Sequence, residues 1–379
     1  MQPAQSDDAR IPVSILTGFL GSGKTTVLRH ILGSLAFADT AVLINEFGEV
    51  GLDHLLVGQI DSAPVLLDSG CICCSIRGDL SRAMRDLHAR RVSGEVPPFV
   101  RVIVETTGLA DPTPILATIT SDLVLRRHFQ LGNVICTVDA VHTGRGLERH
   151  PEIVKQIAVA DRLLLTKTDL VPDAQASRLL DALRRINPAA AVGVAMHGQV
   201  DPGLVVGQGI HDPETKLAEV QRWLEAPGAP GSTLASAHAV AVRSFVIRHD
   251  RPIDWSAFGL WFSLLIHRHG DRLLRVKGVL DIEGSVTPVV IHAVQHVIHE
   301  PEHLSAWPTS DRTSRLVFIV DGLDGDLVQR SFSAFSRLGQ VDADRAVSGR
   351  AAVPDSCRPP ADDGPVAAMA HGDPVWREL

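Results

Sequence analysis

No tyrosine occurs among the 379 residues, and aromatic residues together make up only 4% of them. Single-stranded nucleic acid is held largely by stacking bases on aromatic rings, so that class of partner loses its usual platform. Positive charge is not in excess either. Thirty-six Lys and Arg face 44 Asp and Glu, a net charge of −8, which leaves no broad cationic surface to displace counterions from a polynucleotide. Cysteine is scarce, with five in all, too few for a disulfide scaffold and in keeping with reduced thiols in a cytoplasmic protein. Long apolar runs are missing: stretches such as 258–266 fall far short of the roughly 20 residues that span a bilayer, so no membrane is expected. The opening MQPAQSDDAR lacks the basic and apolar regions of an export signal, which also points to the cytoplasm. What is present, 45% hydrophobic and 21% charged residues, is ordinary globular composition, and the length suits about two domains.

After a polar tail at 1–10, residues 11–197 alternate short β-rich runs (IPVSILT, TAVLIN, FVRVIVE, NVICTVDA, RLLLTK) with amphipathic helical stretches. That rhythm predicts an α/β domain built on a mainly parallel sheet. Gly and Pro accumulate through 198–238, read as a linker with one short helix near 213–224. Residues 239–338 predict a smaller α+β domain. Its strands lie in AVRSFVIR, LLRVKGVLDI, PVVIHAVQHVIH and RLVFIVDG, and its helices across 253–269 and 327–338. The Ala- and Pro-rich segment 339–379 has few large aliphatic residues and is expected to be a disordered tail.

Immediately after the first predicted strand stands Gly18-Phe19-Leu20-Gly21-Ser22-Gly23-Lys24-Thr25-Thr26, a match to G-x-x-x-x-G-K-[ST] that opens a helix. Backbone N–H groups of such a loop close around phosphate oxygens, Lys24 reaches the β- and γ-phosphates, and Thr25 offers a hydroxyl to Mg²⁺. A plain glycine-rich turn explains the spacing less well, because strand, loop and helix arrive in the right order. A second strand ends in Glu105-Thr106-Thr107-Gly108. A lone Glu at a strand end is usually a solvated charge; downstream of a phosphate loop, Glu105 is assigned to Mg²⁺, and Gly108 to close approach of the backbone to a γ-phosphate. A third strand ends in Thr166-Lys167-Thr168-Asp169, departing from N-K-x-D at Thr166. A carboxylate accepts both the N1 and N2 protons of guanine, and adenine presents no such pair, so Asp169 favours GTP over ATP.

Between these elements lie Cys71, Cys73 and Cys74. A single Cys is most often inert core, but three in four positions suit a soft metal such as Zn²⁺, with thiol redox sensing as the rival reading. The segment HAVQHVIHEPEH, 292–303, places His292 and His296 roughly 13 Å apart if it is a strand, too far for one ion. Partly exposed strand histidines are the favoured reading, with His296, His299 and His303 as a secondary or client-facing site.

GFLGSGKTT, the run NEFGEVGLD, GCICC, ETTGLADP and LLLTKTDL, in this order, together resemble the CobW-type G proteins, SIMIBI-class GTPases that act as metallochaperones or metal-insertase activators. The likeness extends through LLRVKGVLDI, VQHVIH, Trp307-Pro308 and RLVFIV. It implies a P-loop NTPase domain followed by a smaller α+β C-terminal domain, with Gly18, Gly21, Ser22, Gly23, Lys24, Thr25, Thr26 and Gly108 on the phosphates. It further implies Thr166, Lys167 and Asp169 at guanine, and Cys71, Cys73 and Cys74 on a transition metal: zinc, or alternatively cobalt or iron. The run 45–53 would be the first switch. Glu46, Glu49 and Asp53 would stand near Mg²⁺, the attacking water or the cysteine-bound metal. The assignment adopted groups Glu46 and Asp53 with Lys24 and Glu105 for catalysis, and Glu49 with the metal. A client metalloprotein is the implied partner, and the chain would act as a monomer or weak homo-oligomer. Only His197, His211 and His238 mark the linker, so no high-capacity histidine store is expected. A P-loop ATPase or kinase acting on a small molecule, and a non-enzymatic thiol sensor, are the competing readings.

Overall fold

The computed structural model describes residues 10–44, 65–66, 76–206, 220 and 242–348. The first sheet is parallel throughout and has seven strands: β1 (Ile11–Gly18), β2 (Thr40–Ile44), β3 (Val65–Leu66), β4 (Arg101–Glu105), β5 (Phe129–Asp139), β6 (Arg162–Thr166) and β7 (Ala191–Ala195). Their order is β3-β2-β4-β1-β5-β6-β7. The connecting helices include α1 (Lys24–Leu32), α2 (Ile76–Ser93), α3 (Thr113–Ser121), α4 (Pro151–Val159) and α5 (Asp173–Ile186). Helices cover both faces, so the central strands are apolar on alternate and intervening positions alike. Val102 and Val104 join one core cluster and Ile103 the other, and Leu163 and Leu165 are divided from Leu164 in the same way. The chain runs from β1 outward to β2 on one side and later returns to β5 on the other. The crevice beyond the carboxyl end of β1 is therefore the switch point at which open α/β sheets bind ligands.

The second sheet is antiparallel: β8 (Val242–His249), β9 (Leu273–Leu280), β10 (Val289–Val294), β11 (Val297–Ile298), β12 (Glu302–His303) and β13 (Ser314–Asp321). Two helices follow its strands, α6 (Trp255–His269) and α7 (Gly325–Ser348). On β13 the pleat sorts the side chains: Leu316, Phe318 and Val320 pack with α6 residues such as Trp261 and Phe262, while Ile319 joins the core of the first sheet. Trp261 Nε1 donates to Ser331 Oγ at 3.0 Å, tying α6 to α7. Two expectations need correction. PVVIHAVQHVIH is a hairpin rather than one strand: Gln295 takes a left-handed φ of 49° and folds β11 back on β10. Helix α7 runs on to Ser348, beyond the 338 boundary read for it; the tail expected to be disordered is described only up to that residue. The helix expected near 213–224 lies outside the described residues except for Val220.

Both sheets belong to one compact unit, and a charged cluster joins them. Arg275 and Lys277, two apart on β9 and therefore on one face, are 3% and 1% exposed. Arg275 donates to the Val159 carbonyl and pairs with Asp161, and Lys277 Nζ lies 3.1 Å from Asp161 Oδ1. Asp161 also accepts from the Val134 N–H at 3.0 Å. Burial alone would raise the Asp161 carboxyl, but Arg275 and then Lys277 hold it far below the carboxylate range. Beside them, the His292 and His299 rings sit 5.9 Å apart. Burial, with the neighbouring cations, lowers both, His299 from 6.5 to about 4.

These signs set the acid response. The Asp161 contribution is complete above the unfolded-chain value of roughly 4 and fades only as pH drops below it. The two histidines are neutral when folded and take up protons near pH 6.5 when unfolded, so stability falls as pH goes from about 6.5 toward 4. In urea titrations, Asp161→Asn should lose about 3–5 kcal/mol at pH 7 by leaving buried cations short of their partner. His299→Gln should flatten the loss between pH 6.5 and 4.5 by up to about 1.4 kcal/mol per pH unit. Identical slopes for wild type and His299→Gln would overturn the second expectation.

Candidate functional site

The turn after β1 closes because its glycines allow it and two threonines hold it. Gly18 has φ 140°, and a Cβ there would lie 2.6 Å from the Thr137 carbonyl oxygen. Gly23 takes φ 94° and starts α1. Ser22 Oγ is 2.6 Å from Thr137 Oγ1 at the end of β5. Thr166 Oγ1, at the end of β6, donates to the Ser22 carbonyl at 2.7 Å. Lys24 is buried and folds over the turn, its Nζ donating to the Gly18 and Phe19 carbonyls at 2.8 and 3.2 Å. A polyanion offers that ammonium stronger acceptors than these neutral carbonyls. Thr26 is exposed on the first turn of α1, close to Gly198.

Next to the turn, Thr25 Oγ1 donates to Glu105 Oε1 at 3.0 Å. The carboxylate at the tip of β4 is buried. A hydroxyl and a carboxylate side by side are hard oxygen donors of the kind Mg²⁺ takes. Beyond Glu105 the chain turns through Gly108, where a Cβ would stand 2.6 Å from Leu20 N and 2.7 Å from Leu20 Cα. Glycine is required by that close approach. From the opposite side Gln156 of α4, itself buried, donates its Nε2 to the Gly108 and Ala110 carbonyls at 3.1 and 3.0 Å.

On the other flank, Lys167 adopts a left-handed φ of 56°. Its Nζ donates to the Gly21 carbonyl at 2.8 Å and to Asp139 Oδ2 at 2.6 Å. Asp139 ends β5 in register with Thr166. Its other oxygen accepts from the Val141 and His142 N–H groups, and His142 Nδ1 lies 3.0 Å from Oδ2. Burial acts to raise the Asp139 carboxyl, but the bonds from Lys167 and His142 hold it lower than usual. Asp169 is exposed in a short 3₁₀ turn, 168–170, where a base could reach its carboxylate.

Residues 12–193 match the model for the CobW/HypB/UreG nucleotide-binding domain, and 242–336 match the cobalamin synthesis protein cobW C-terminal domain. The chain is 35% identical over 332 residues to the zinc chaperone YjiA of Escherichia coli (strain K12), covering 86% of this chain and 99% of that protein. It belongs to the CobW family. The zinc chaperone CobW of a Sinorhizobium species is 28% identical across 84% of this chain and 95% of its own. The crystal structure of Zn(II)-bound YjiA GTPase from E. coli superposes with a TM-score of 0.65 at 31% identity, covering 86% and 99% of the two chains.

In this CobW-family protein the structure brings Gly18, Gly21, Ser22, Gly23, Lys24, Thr25, Glu105, Gly108, Thr166 and Lys167 around one crevice. Glu46, Glu49, Asp53, Cys71, Cys73 and Cys74 lie outside the described residues. The histidines expected as a secondary site do not converge: His296 Nε2 is 3.0 Å from Asp271, His303 is beside Thr287, and His299 faces His292. The hairpin at Gln295 causes this separation. Among the described residues no group of three or more His, Cys, Asp or Glu is arranged to hold a metal. Cys136 is buried, and burial pushes its thiol up to about 12, which makes it unreactive.

Sequence reading passed over Asp139 and Gln156. The signal for Asp139 was present, an acidic residue closing an apolar strand as Glu105 does; nothing local marks Gln156. Asp139→Ala should weaken guanine-nucleotide binding about tenfold by freeing Lys167, and equally for GDP and GTP because the loss is on the base side. Fluorescent-nucleotide titration checks both the size and the equality.

Proposed function

We propose that this chain is a GTP-hydrolysing metallochaperone, binding a transition metal through Cys71, Cys73 and Cys74 and handing it to a client apoprotein. The observation that carries the reading is the pair Thr25–Glu105 set between a lysine-bearing turn and a T-K-x-D loop, with Thr166 bonded to the turn itself. The naming of its relatives as zinc chaperones and as a zinc-regulated GTPase metalloprotein activator supports GTP hydrolysis and favours zinc as cargo over cobalt or iron. Thiolates suit all three ions, and cellular availability helps to select among them.

Mg²⁺ would be held by Thr25 and Glu105 and supplies charge neutralisation at the phosphates. Lys24 exchanges the Gly18 and Phe19 carbonyls for β- and γ-phosphate oxygens, and the amides of the turn close on the remaining charge. Lys167, fixed by Gly21 and Asp139, lies along the base, while Asp169 accepts the guanine N1 and N2 protons. A switch carboxylate, Glu46 or Asp53, orients the attacking water; phosphoryl transfer needs positioning and charge stabilisation rather than a covalent intermediate. The cysteines lie between the two switch segments in sequence. A γ-phosphate that reorders those segments therefore changes the metal's ligands, with a coupling of about 1–3 kcal/mol, or 5- to 150-fold in affinity. Among the described residues no helix is long and apolar enough to cross a membrane.

Linkage requires the coupling to be reciprocal. Zn²⁺ should shift GTP affinity by the same factor by which GTP shifts Zn²⁺ affinity, and Cys73→Ala should remove both shifts while leaving nucleotide binding intact. Lys24→Ala should abolish hydrolysis. Paired calorimetric titrations check this. Affinities independent of each other would overturn the carrier reading, and ATP binding as tight as GTP would point to a kinase or ATPase.

A further inference from the structure

Gln156 has little reason to be polar if its role is packing. It is buried on α4, and its Oε1 has no hydrogen-bond partner. Burying an amide with one end unpaired is costly, so a leucine or methionine of similar volume would serve a purely apolar contact better. Its Nε2, however, spans two carbonyls of one turn, Gly108 and Ala110. Two acceptors facing the same end of the amide also settle which end carries the nitrogen. With the Gly108 carbonyl aimed at α4, the planar trans peptide points the N–H of Leu109 the opposite way. The turn is thus held between Leu20 of the phosphate loop and Gln156 of α4.

The far end of the same helix is held from the second sheet. Val159, one turn beyond Gln156, gives its carbonyl to Arg275 of β9, and Arg275 continues to Asp161. Asn187 Nδ2 lies 2.8–3.1 Å from the Ile157, Ala158 and Ala160 carbonyls, so the helix end has no slack. Residues three apart on a helix share a face and move together. One rigid turn of helix therefore separates the bonds to the glycine turn from the bond to β9.

We propose that Gln156 is a positioning residue that sets the Gly108 turn for GTP and, through α4 and Arg275, relays the state of that turn to the C-terminal sheet. The proposal rests on the reading of Gly108 as the γ-phosphate contact and extends it. A γ-phosphate that draws on the peptide N–H groups of this turn alters where the Gly108 and Ala110 carbonyls point. Gln156 follows those carbonyls, α4 follows Gln156, and the Arg275–Val159 bond carries the displacement to β9.

The test uses the full chain and compares GTPγS with GDP. Gln156→Met keeps volume and removes both donors. It should lower the GTPγS-to-GDP affinity ratio about tenfold, inside the range common for couplings between sites. It should also abolish the difference in amide hydrogen exchange of 151–160 and 273–280 between the two nucleotides. Arg275→Lys keeps a cation but loses the second donor of the guanidinium; it should retain the affinity ratio and lose the exchange difference at 273–280 alone. Gly108→Ala separates the two layers of the argument. If it lowers the ratio and Gln156→Met does not, the relay is wrong and the γ-phosphate reading stands. If Gly108→Ala leaves the ratio unchanged, both fall. Should Gln156→Met fail to fold, wild-type exchange decides: no difference at 273–280 between GTPγS and GDP overturns the relay.

Discussion

A loop that presents its own backbone amides to a polyanion has few side chains with which to fix itself, so its shape must be imposed from outside. Here the imposing groups are hydroxyls at two neighbouring strand ends. Thr137 closes on Ser22, and Thr166 bonds the Ser22 carbonyl. Parallel strands end at the same level, so the tips of β4, β5 and β6 deliver Glu105, Asp139 and Thr166 to the rim of one crevice. This explains how threonine can stand where G proteins of this pattern often read asparagine. At that position the Thr166 hydroxyl donates to the Ser22 carbonyl of the turn after β1.

The cluster between the sheets follows a different logic. Buried ion pairs contribute little net stability compared with apolar residues of the same volume, while losing one partner is severe. Arg275, Lys277 and Asp161 join β9 to the end of α4 and the start of β6, and a seating that left any of these buried charges unpaired would be penalised. Asp161 begins the segment that runs through β6 to Thr166 and Lys167. The strand that ends in Thr166 is thus anchored at its opposite end by the C-terminal sheet.

Motifs confined to short contiguous segments are legible in the sequence alone. The phosphate turn has obligatory glycines and a fixed place between strand and helix, and the T-K-x-D tip closes an apolar strand, so both announce themselves. Parallel strands buried on two faces produce unbroken apolar runs, which is why the α/β architecture could be read from rhythm. The hairpin at Gln295 escaped notice because its turn carries no Gly, Pro, Asn or Asp; a non-glycine residue in the left-handed region leaves no compositional mark. Gln156 and Arg275 escaped for another reason. Each is an unremarkable polar residue whose partners lie 46–48 and 114–116 positions away in the chain. Only the packing of α4 between turn and sheet gives them meaning.

All five indoles of the chain, Trp223, Trp255, Trp261, Trp307 and Trp376, fall after the nucleotide-binding sheet, and there is no phenol anywhere to add a second emitter. Trp261, bonded to Ser331 and packed against Phe332 and Phe318, is seated in the core beneath the antiparallel sheet. A change in the emission of Trp261 that accompanies nucleotide capture is consequently a signal that has already travelled from the crevice into the core of the antiparallel sheet.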